Sequence, residues 1–155
     1  MKNFDFKVVA LPTSVADEAR RRALAGASDH RMITIKDSEA APCRHCLRWA
    51  EPGERVVLFP YTAIPAGYPY SETGPIFVHA DRCERYAGTR EYPDAFREGR
   101  AFRAYDEAYN MIDAVIANGT APESVIEKLL QIPKIKFVDV RSVTRGCYTF
   151  RIERA

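Results

Sequence analysis

The sequence has little excess charge of either sign, because 23 lysine and arginine residues nearly balance 21 aspartate and glutamate residues. Dedicated nucleic-acid binders carry a basic excess that neutralises phosphates, so this balance argues against nucleic acid as a partner. The one dense basic run, Arg20-Arg21-Arg22, is typical of the solvated face of a helix.

Long hydrophobic runs are also missing. The apolar stretch nearest the N-terminus, Val8–Leu11, ends at Pro12 and is too short for a signal-peptide core. No other run approaches the length that spans a bilayer. We therefore expect a cytoplasmic protein without a membrane partner, in which thiols stay reduced.

Common catalytic motifs are absent as well. The chain shows no Ser-His-Asp order, Walker loop, dinucleotide fingerprint or paired-carboxylate motif. Their absence removes the enzyme classes that those motifs mark and leaves open whether the protein is an enzyme. Its 155 residues predict a single domain over 1–155, long enough to bury a core without disulfides or a metal.

The pattern of apolar residues predicts an α+β fold. Strands are expected at 4–11, 32–35, 54–61, 76–79, 102–105, 136–141 and 147–152. Helices are expected after Thr13, at 109–116 and from Pro122 to Leu130, with a brief one at 94–99 and a long loop at 62–74. Because strands follow one another without strict strand–helix alternation, we expect a mixed or mainly antiparallel sheet with helices packed on one side.

Three of the four cysteines and one histidine form two short pairs. Cys43 and Cys46 stand as C-x-x-C in PCRHCL, and His79 and Cys83 stand as H-x-x-x-C in VHADRC. Two such pairs supply the four soft or borderline ligands of a tetrahedral zinc site. A turn and a strand separate the pairs, which predicts a treble-clef-like structural site for Zn²⁺.

Other interpretations of these residues stay open. A thiol redox role for Cys43 and Cys46 is one, because Arg44 and His45 beside them can lower a thiol pKa. Any of the cysteines can also be a small core residue, which is the interpretation we favour for Cys147.

A second candidate site consists of arginines and tyrosines beside the predicted strands and the loop at 62–74. Guanidinium groups bind carboxylate or phosphate through two hydrogen bonds, so this set predicts a pocket for a small anionic ligand, in an enzyme or a binding protein. Its residues are Arg44, Tyr70, Arg103, Tyr105 and Arg141. The alternative is that Arg103 with Asp106, or Arg44 with Glu54, forms an internal ion pair.

Several segments resemble a known family. PCRHCL, PGERVVLFPY, YSETGPIFV, RAYD, Arg141 and GCYTF occur in the order found in the bacterial domain of unknown function DUF1203. The resemblance covers nearly the whole chain. It implies a single-domain bacterial protein of about this size, and it implies no particular activity.

Overall fold

The computed structural model describes residues 5–36, 41–88, 90–117 and 119–155. The elements in chain order are β1 (Phe6–Val9), α1 (Thr13–Leu24), β2 (Arg31–Thr34), β3 (Arg55–Ile64), β4 (Glu72–His79), a 3₁₀ turn (Asp94–Phe96), β5 (Arg100–Tyr105), β6 (Met111–Ile116), α2 (Pro122–Leu130), β7 (Phe137–Ser142) and β8 (Tyr148–Arg154). The strands form two antiparallel sheets, which confirms the predicted α+β class. The sequence suggested one sheet, whereas the chain builds two.

The described residues divide into two compact units. The five-stranded unit takes residues up to Val9, 63–72 and 87–155, and the three-stranded unit takes 10–62 and 73–86. Neither helix in the described part of the chain is long and apolar enough to cross a membrane.

The five-stranded unit has the strand order β1-β8-β7-β5-β6. Helix α2 packs on β5, β7 and β8, and it buries Val125, Ile126, Leu129 and Leu130. This spacing places the four side chains on one helical face, and Pro122 suits the first turn because its missing N–H has no partner there. The opposing side chains of the sheet are the apolar residues Val8, Phe102, Ala104, Val138, Val140, Phe150 and Ile152, all buried.

The three-stranded unit has the order β2-β3-β4 together with α1. Its small apolar cluster contains Ile35, Ala41, Ala50 and Val56, with Phe77 packed against it. These residues flank the segment between β2 and β3, which carries the C-x-x-C pair. The loop that holds this pair is therefore anchored by apolar contacts on both sides.

Two predicted elements were wrong. The helix expected at 109–116 is the strand β6, in which Met111–Ile116 pairs antiparallel with β5. Ile112, Val115 and Ile116 fit a helical period, but β-branched side chains also suit a strand, and the backbone pairing with β5 decides between them.

The long loop expected at 62–74 is shorter, since β3 runs on to Ile64 and β4 begins at Glu72. Pro60 does not end β3, because β2 pairs with β3 only as far as Leu58, so Pro60 needs no ladder hydrogen bond on that side. The predicted first strand also shortens to β1, and its expected first residue, Phe4, lies outside the described residues.

Candidate metal centre

Four side chains of the three-stranded unit converge on one point. One ligand atom from each of Cys43, Cys46, His79 and Cys83 lies within 4.8 Å of all the others. Cys43, Cys46 and His79 are buried, whereas Cys83 is partly exposed. The sulfurs of Cys43 and Cys83 are 3.8 Å apart, and the Cys46 sulfur is 3.4 Å from Nδ1 of His79. The four cysteines of the chain are all free thiols, so no disulfide competes for these sulfurs.

A tight turn delivers the first pair of ligands. The amide of Cys43 donates to the carbonyl of Arg48, and the amide of Leu47 donates back to the carbonyl of Cys43, each at 2.9 Å. Leu47 adopts a positive φ of 56°, a conformation that costs a non-glycine residue free energy. The turn therefore holds a strained residue directly after Cys46 and points both sulfurs inward.

Strand β4 delivers the second pair. His79 is the last residue of β4, and Cys83 follows in the extended segment after it. The amide of Arg44 donates to the carbonyl of Phe77 at 3.0 Å, which ties the first turn to β4. The predicted order of turn, strand and second ligand pair is the order that the chain adopts.

The pKa values of the four ligand groups are shifted in different directions. Hydrogen bonds from the Cys46 and Cys83 thiols lower the pKa of Cys43. Hydrogen bonds to Cys43 and Cys46 raise the pKa of His79 to about 10, because they favour its charged form. A cation that binds among these groups would displace protons from them.

Arg20 and His45 surround Cys83. Sequence reasoning placed Arg20 on a solvated helix face, and it named His45 only as a neighbour of Cys43 and Cys46. Nη2 of Arg20 donates to the Cys83 sulfur at 3.3 Å, and its Nε donates to the carbonyl of His79 at 2.8 Å. Nδ1 of His45 lies 3.1 Å from the same sulfur, and its Nε2 lies 2.8 Å from the hydroxyl of Thr13. Burial lowers the pKa of His45. The neutral tautomer that carries its proton on Nδ1 donates to Cys83 and accepts from Thr13.

The position of Arg20 differs from the prediction for the basic run. Its side chain is only 11% exposed, whereas Arg21 and Arg22 lie at the surface and pair with Glu18. A run of three basic residues spans nearly a full helical turn, so one of them must face inward when the helix packs. The sequence contains no signal that chooses which one.

The remaining sulfurs also accept hydrogen bonds. The backbone amide of His79 donates to Cys43 at 3.3 Å. The guanidinium of Arg48 hydrogen-bonds Cys46, which raises the pKa of Arg48. Each of the three cysteine sulfurs near the centre therefore accepts a hydrogen bond from a protein N–H group.

Glu54 faces the outer nitrogen of His79. Its carboxylate oxygen lies 3.3 Å from Nε2, in ion-pair range but without the alignment of a hydrogen bond. Because Nδ1 is turned toward Cys46, Nε2 is the nitrogen left to face a carboxylate. Glu54 was expected to pair with Arg44 if that arginine was internal. The guanidinium of Arg44 instead donates to the carbonyl of Pro42 at 2.6 Å.

The predicted arginine and tyrosine set divides between the two units. Arg44 belongs to the three-stranded unit, and the other four belong to the five-stranded unit. There Arg103 and Arg141 both pair with Glu72, which sequence reasoning missed. The suggested Arg103–Asp106 pair does not form, since Asp106 accepts from Ala108 and Asn110 in its own turn.

The two tyrosines of that set are neighbours. The ring of Tyr70, which is 43% exposed, meets the buried ring of Tyr105 edge-on at 6.4 Å. Tyr105 in turn stacks on Phe137 at 5.2 Å. The structure thus brings four of the five predicted ligand-binding residues to one part of the five-stranded unit.

Comparison with known proteins identifies one family. Residues 40–154 match the family described as "Protein of unknown function (DUF1203)", a match that includes all four residues of the candidate metal centre. No curated protein and no solved structure matches the chain. Since the match covers most of the sequence, the chain belongs to the DUF1203 family.

Proposed function

We propose that Cys43, Cys46, His79 and Cys83 hold a structural Zn²⁺, and that the protein is a binding or structural module stabilised by this treble-clef-like centre. The observation that carries the proposal is the convergence of the four ligand atoms within 4.8 Å. If the cysteines were buried only as small core residues, there would be no reason for three of them and a histidine to point their ligand atoms at one place.

The distances agree with a tetrahedral zinc ion. Zinc bonds of about 2.3 Å to sulfur and about 2.0 Å to nitrogen put two sulfurs about 3.8 Å apart, and a sulfur and a nitrogen about 3.5 Å apart. The Cys43–Cys83 separation is 3.8 Å, and the separation of Cys46 from Nδ1 of His79 is 3.4 Å. These two separations match a single tetrahedral ion with Nδ1 as its nitrogen ligand.

The surrounding charges also support a thiolate-bound cation. Zinc with three thiolates and a neutral imidazole carries one net negative charge, which buried surroundings must offset. Arg20 and Arg48 bring positive charge to two of the sulfurs. Hydrogen bonds of this kind orient metal ligands and typically strengthen metal binding by about 10–100-fold.

A structural role follows from the number of ligands. Four protein ligands fill a tetrahedral shell and leave no position for a reactive water, unlike catalytic zinc sites. The ion would instead link the turn at 43–46 to the end of β4. That cross-link would offset the strain at Leu47 and stabilise the three-stranded unit.

The thiol redox hypothesis receives less support. A redox thiolate must reach the disulfide of its partner, and both Cys43 and Cys46 are almost fully buried. The thiol of Cys43 also lies against the amide of His79, which blocks approach from that side.

Elemental analysis tests the proposal. Protein purified without added metal is expected to carry about one equivalent of zinc per chain, and less than about a tenth of an equivalent would overturn the idea. Replacement of zinc by cobalt adds a test of geometry. Absorption bands typical of tetrahedral cobalt with thiolate ligands support the proposed shell, whereas octahedral bands contradict it.

A further inference from the structure

One face of the five-stranded sheet carries a row of charged residues instead of a hydrophobic surface. In the strand register Arg103 of β5 stands opposite Asp139 of β7, and Asp139 stands opposite Arg151 of β8. Asp139 is fully buried, which raises the pKa of its carboxyl group. Nε and Nη2 of Arg151 oppose that rise by donating to the two carboxylate oxygens at 2.7 and 3.1 Å.

Arg141 lies two residues beyond Asp139 on β7, so its side chain leaves the same face. The side chain is only 1% exposed. Nη1 donates to Glu72 and to the carbonyl of Gly146. Nε and Nη2 are buried and have no hydrogen-bond partner among the described residues.

The two unpartnered nitrogens lie on one edge of the guanidinium. That edge presents two parallel N–H groups, the arrangement that binds the two oxygens of a carboxylate. A buried donor without a partner is destabilising, because it has lost its hydrogen bonds to water, so a protein seldom leaves two of them on one side chain. The edge therefore has the geometry of the arginine half of an ion pair with a carboxylate, and none of the described residues supplies the carboxylate half.

The charges around Arg141 do not balance. We define the arginine layer as the guanidinium groups of Arg103, Arg141 and Arg151 with the carboxylates of Glu72 and Asp139. Three positive groups face two negative ones, which leaves one positive charge. Arg141 is buried and one edge of its guanidinium lacks a partner in the described part of the chain, so a further monoanion beside it would balance the charge of these five groups.

We propose that the Nε–Nη2 edge of Arg141 binds a small carboxylate. A monoanion balances the layer, whereas a doubly charged phosphate exceeds the single excess charge. Arg103 and Glu72, which pair with each other beside Arg141, remain 34% and 35% exposed, so the layer reaches the protein surface there. Glu72 already occupies Nη1 of Arg141, so an incoming carboxylate would complete the guanidinium from its other edge.

The experiment is a titration of the full chain with sodium acetate, followed through the Nε–H signals of isotope-labelled arginine side chains. We expect one buried arginine signal to shift and saturate, while sodium chloride at the same ionic strength gives no saturation. R141K keeps the charge but removes the two-pronged edge, and it should abolish the saturable shift. A response to acetate that equals the response to chloride overturns the proposal.

Two milder variants keep the test decisive if R141K does not fold. E72Q removes a competing carboxylate and should tighten acetate binding by about fivefold, while R103Q removes a cation and should weaken it by a similar factor. R97Q is the matched control, because Arg97 pairs with Glu123 elsewhere in the same unit. Equal affinities in E72Q and R103Q contradict the proposal, and tighter binding of inorganic phosphate than of acetate overturns the assignment to a carboxylate.

Discussion

Each of the two units buries a set of polar groups, and the two sets favour partners of opposite charge. We call the four ligand residues Cys43, Cys46, His79 and Cys83 the sulfur cluster; it gathers groups that bind a cation. The arginine layer gathers three cations around two carboxylates. Since a buried charge is tolerated only beside an opposite one, we propose a metal ion for the first arrangement and a small anion for the second.

The two arrangements are also built differently. The sulfur cluster comes from a turn and a strand end. The residues within each ligand pair are close in sequence, and the two pairs meet through a contact between the turn and β4. The arginine layer comes from register across three strands, where Arg103, Asp139 and Arg151 meet although they are far apart in sequence. Local spacing can therefore reveal the first, and only strand pairing reveals the second.

Loss of a cluster cysteine should have the largest effect. We expect C43S to lose its zinc and to destabilise the protein by about 4 kcal/mol or more, because loss of a bound metal is among the most damaging single changes. Zinc content and the free energy of unfolding in urea measure the two effects. C147S is the control, because Cys147 lies in the other unit and its thiol donates to the carbonyl of Arg145. Full zinc retention in C43S, or zinc loss in C147S, would contradict the comparison.

Breaking the buried pair of the arginine layer comes next. D139N leaves Arg151 with a neutral partner, and removal of one member of a buried ion pair typically costs about 3–5 kcal/mol. Urea unfolding gives the loss, and the zinc content of the folded variant should stay at the wild-type value. D113N is the control, since Asp113 is exposed on β6 and should tolerate the same change. A cost in D139N no larger than in D113N would show that the buried charge has no structural role.

The groups around the sulfur cluster should have an intermediate effect. R20Q removes the donor to Cys83 and to the carbonyl of His79, so its affinity for zinc should fall by about tenfold or more. Competition with a zinc chelator measures the affinity. R21Q, which loses only a surface pair with Glu18, should match the wild type. Equal zinc affinities for R20Q and R21Q would show that Arg20 does not contribute to zinc binding.

The smallest effect is expected for the surface pair of Arg97 and Glu123. Hydrogen bonds from Arg97 lower the pKa of Glu123 below its ordinary value of 4.5. The pair therefore stabilises the protein above that pH, and the stabilisation disappears as the pH falls through the lowered pKa.

The variant E123Q tests the sign of this effect. Because the pair is well exposed, E123Q should be less stable than the wild type by under about 1 kcal/mol near neutral pH. Urea unfolding at a series of pH values should show the two proteins converging in acid. A difference that grows as the pH falls would contradict the prediction.

Much of the fold was predictable where local signals agreed. The helix Pro122–Leu130 was predicted correctly, because a first-turn proline and a single apolar face point to the same element. The segment 109–116 was mispredicted, because its apolar spacing fits a helix and its β-branched residues fit a strand. Pairing with β5, which is a non-local interaction, resolved that conflict.

The sequence by itself indicated the four candidate ligands of the sulfur cluster, because the C-x-x-C and H-x-x-x-C spacings within each pair are local. The meeting of the two pairs depends on the contact between the turn and β4. Tertiary structure decided which groups surround that set. Arg20 turns inward only because α1 packs beside the cluster, and Glu72 and Asp139 meet their arginines only through long-range contacts and strand register. Partners chosen by packing leave no local pattern, which is why the balance of buried charge in this protein appears only in the folded chain.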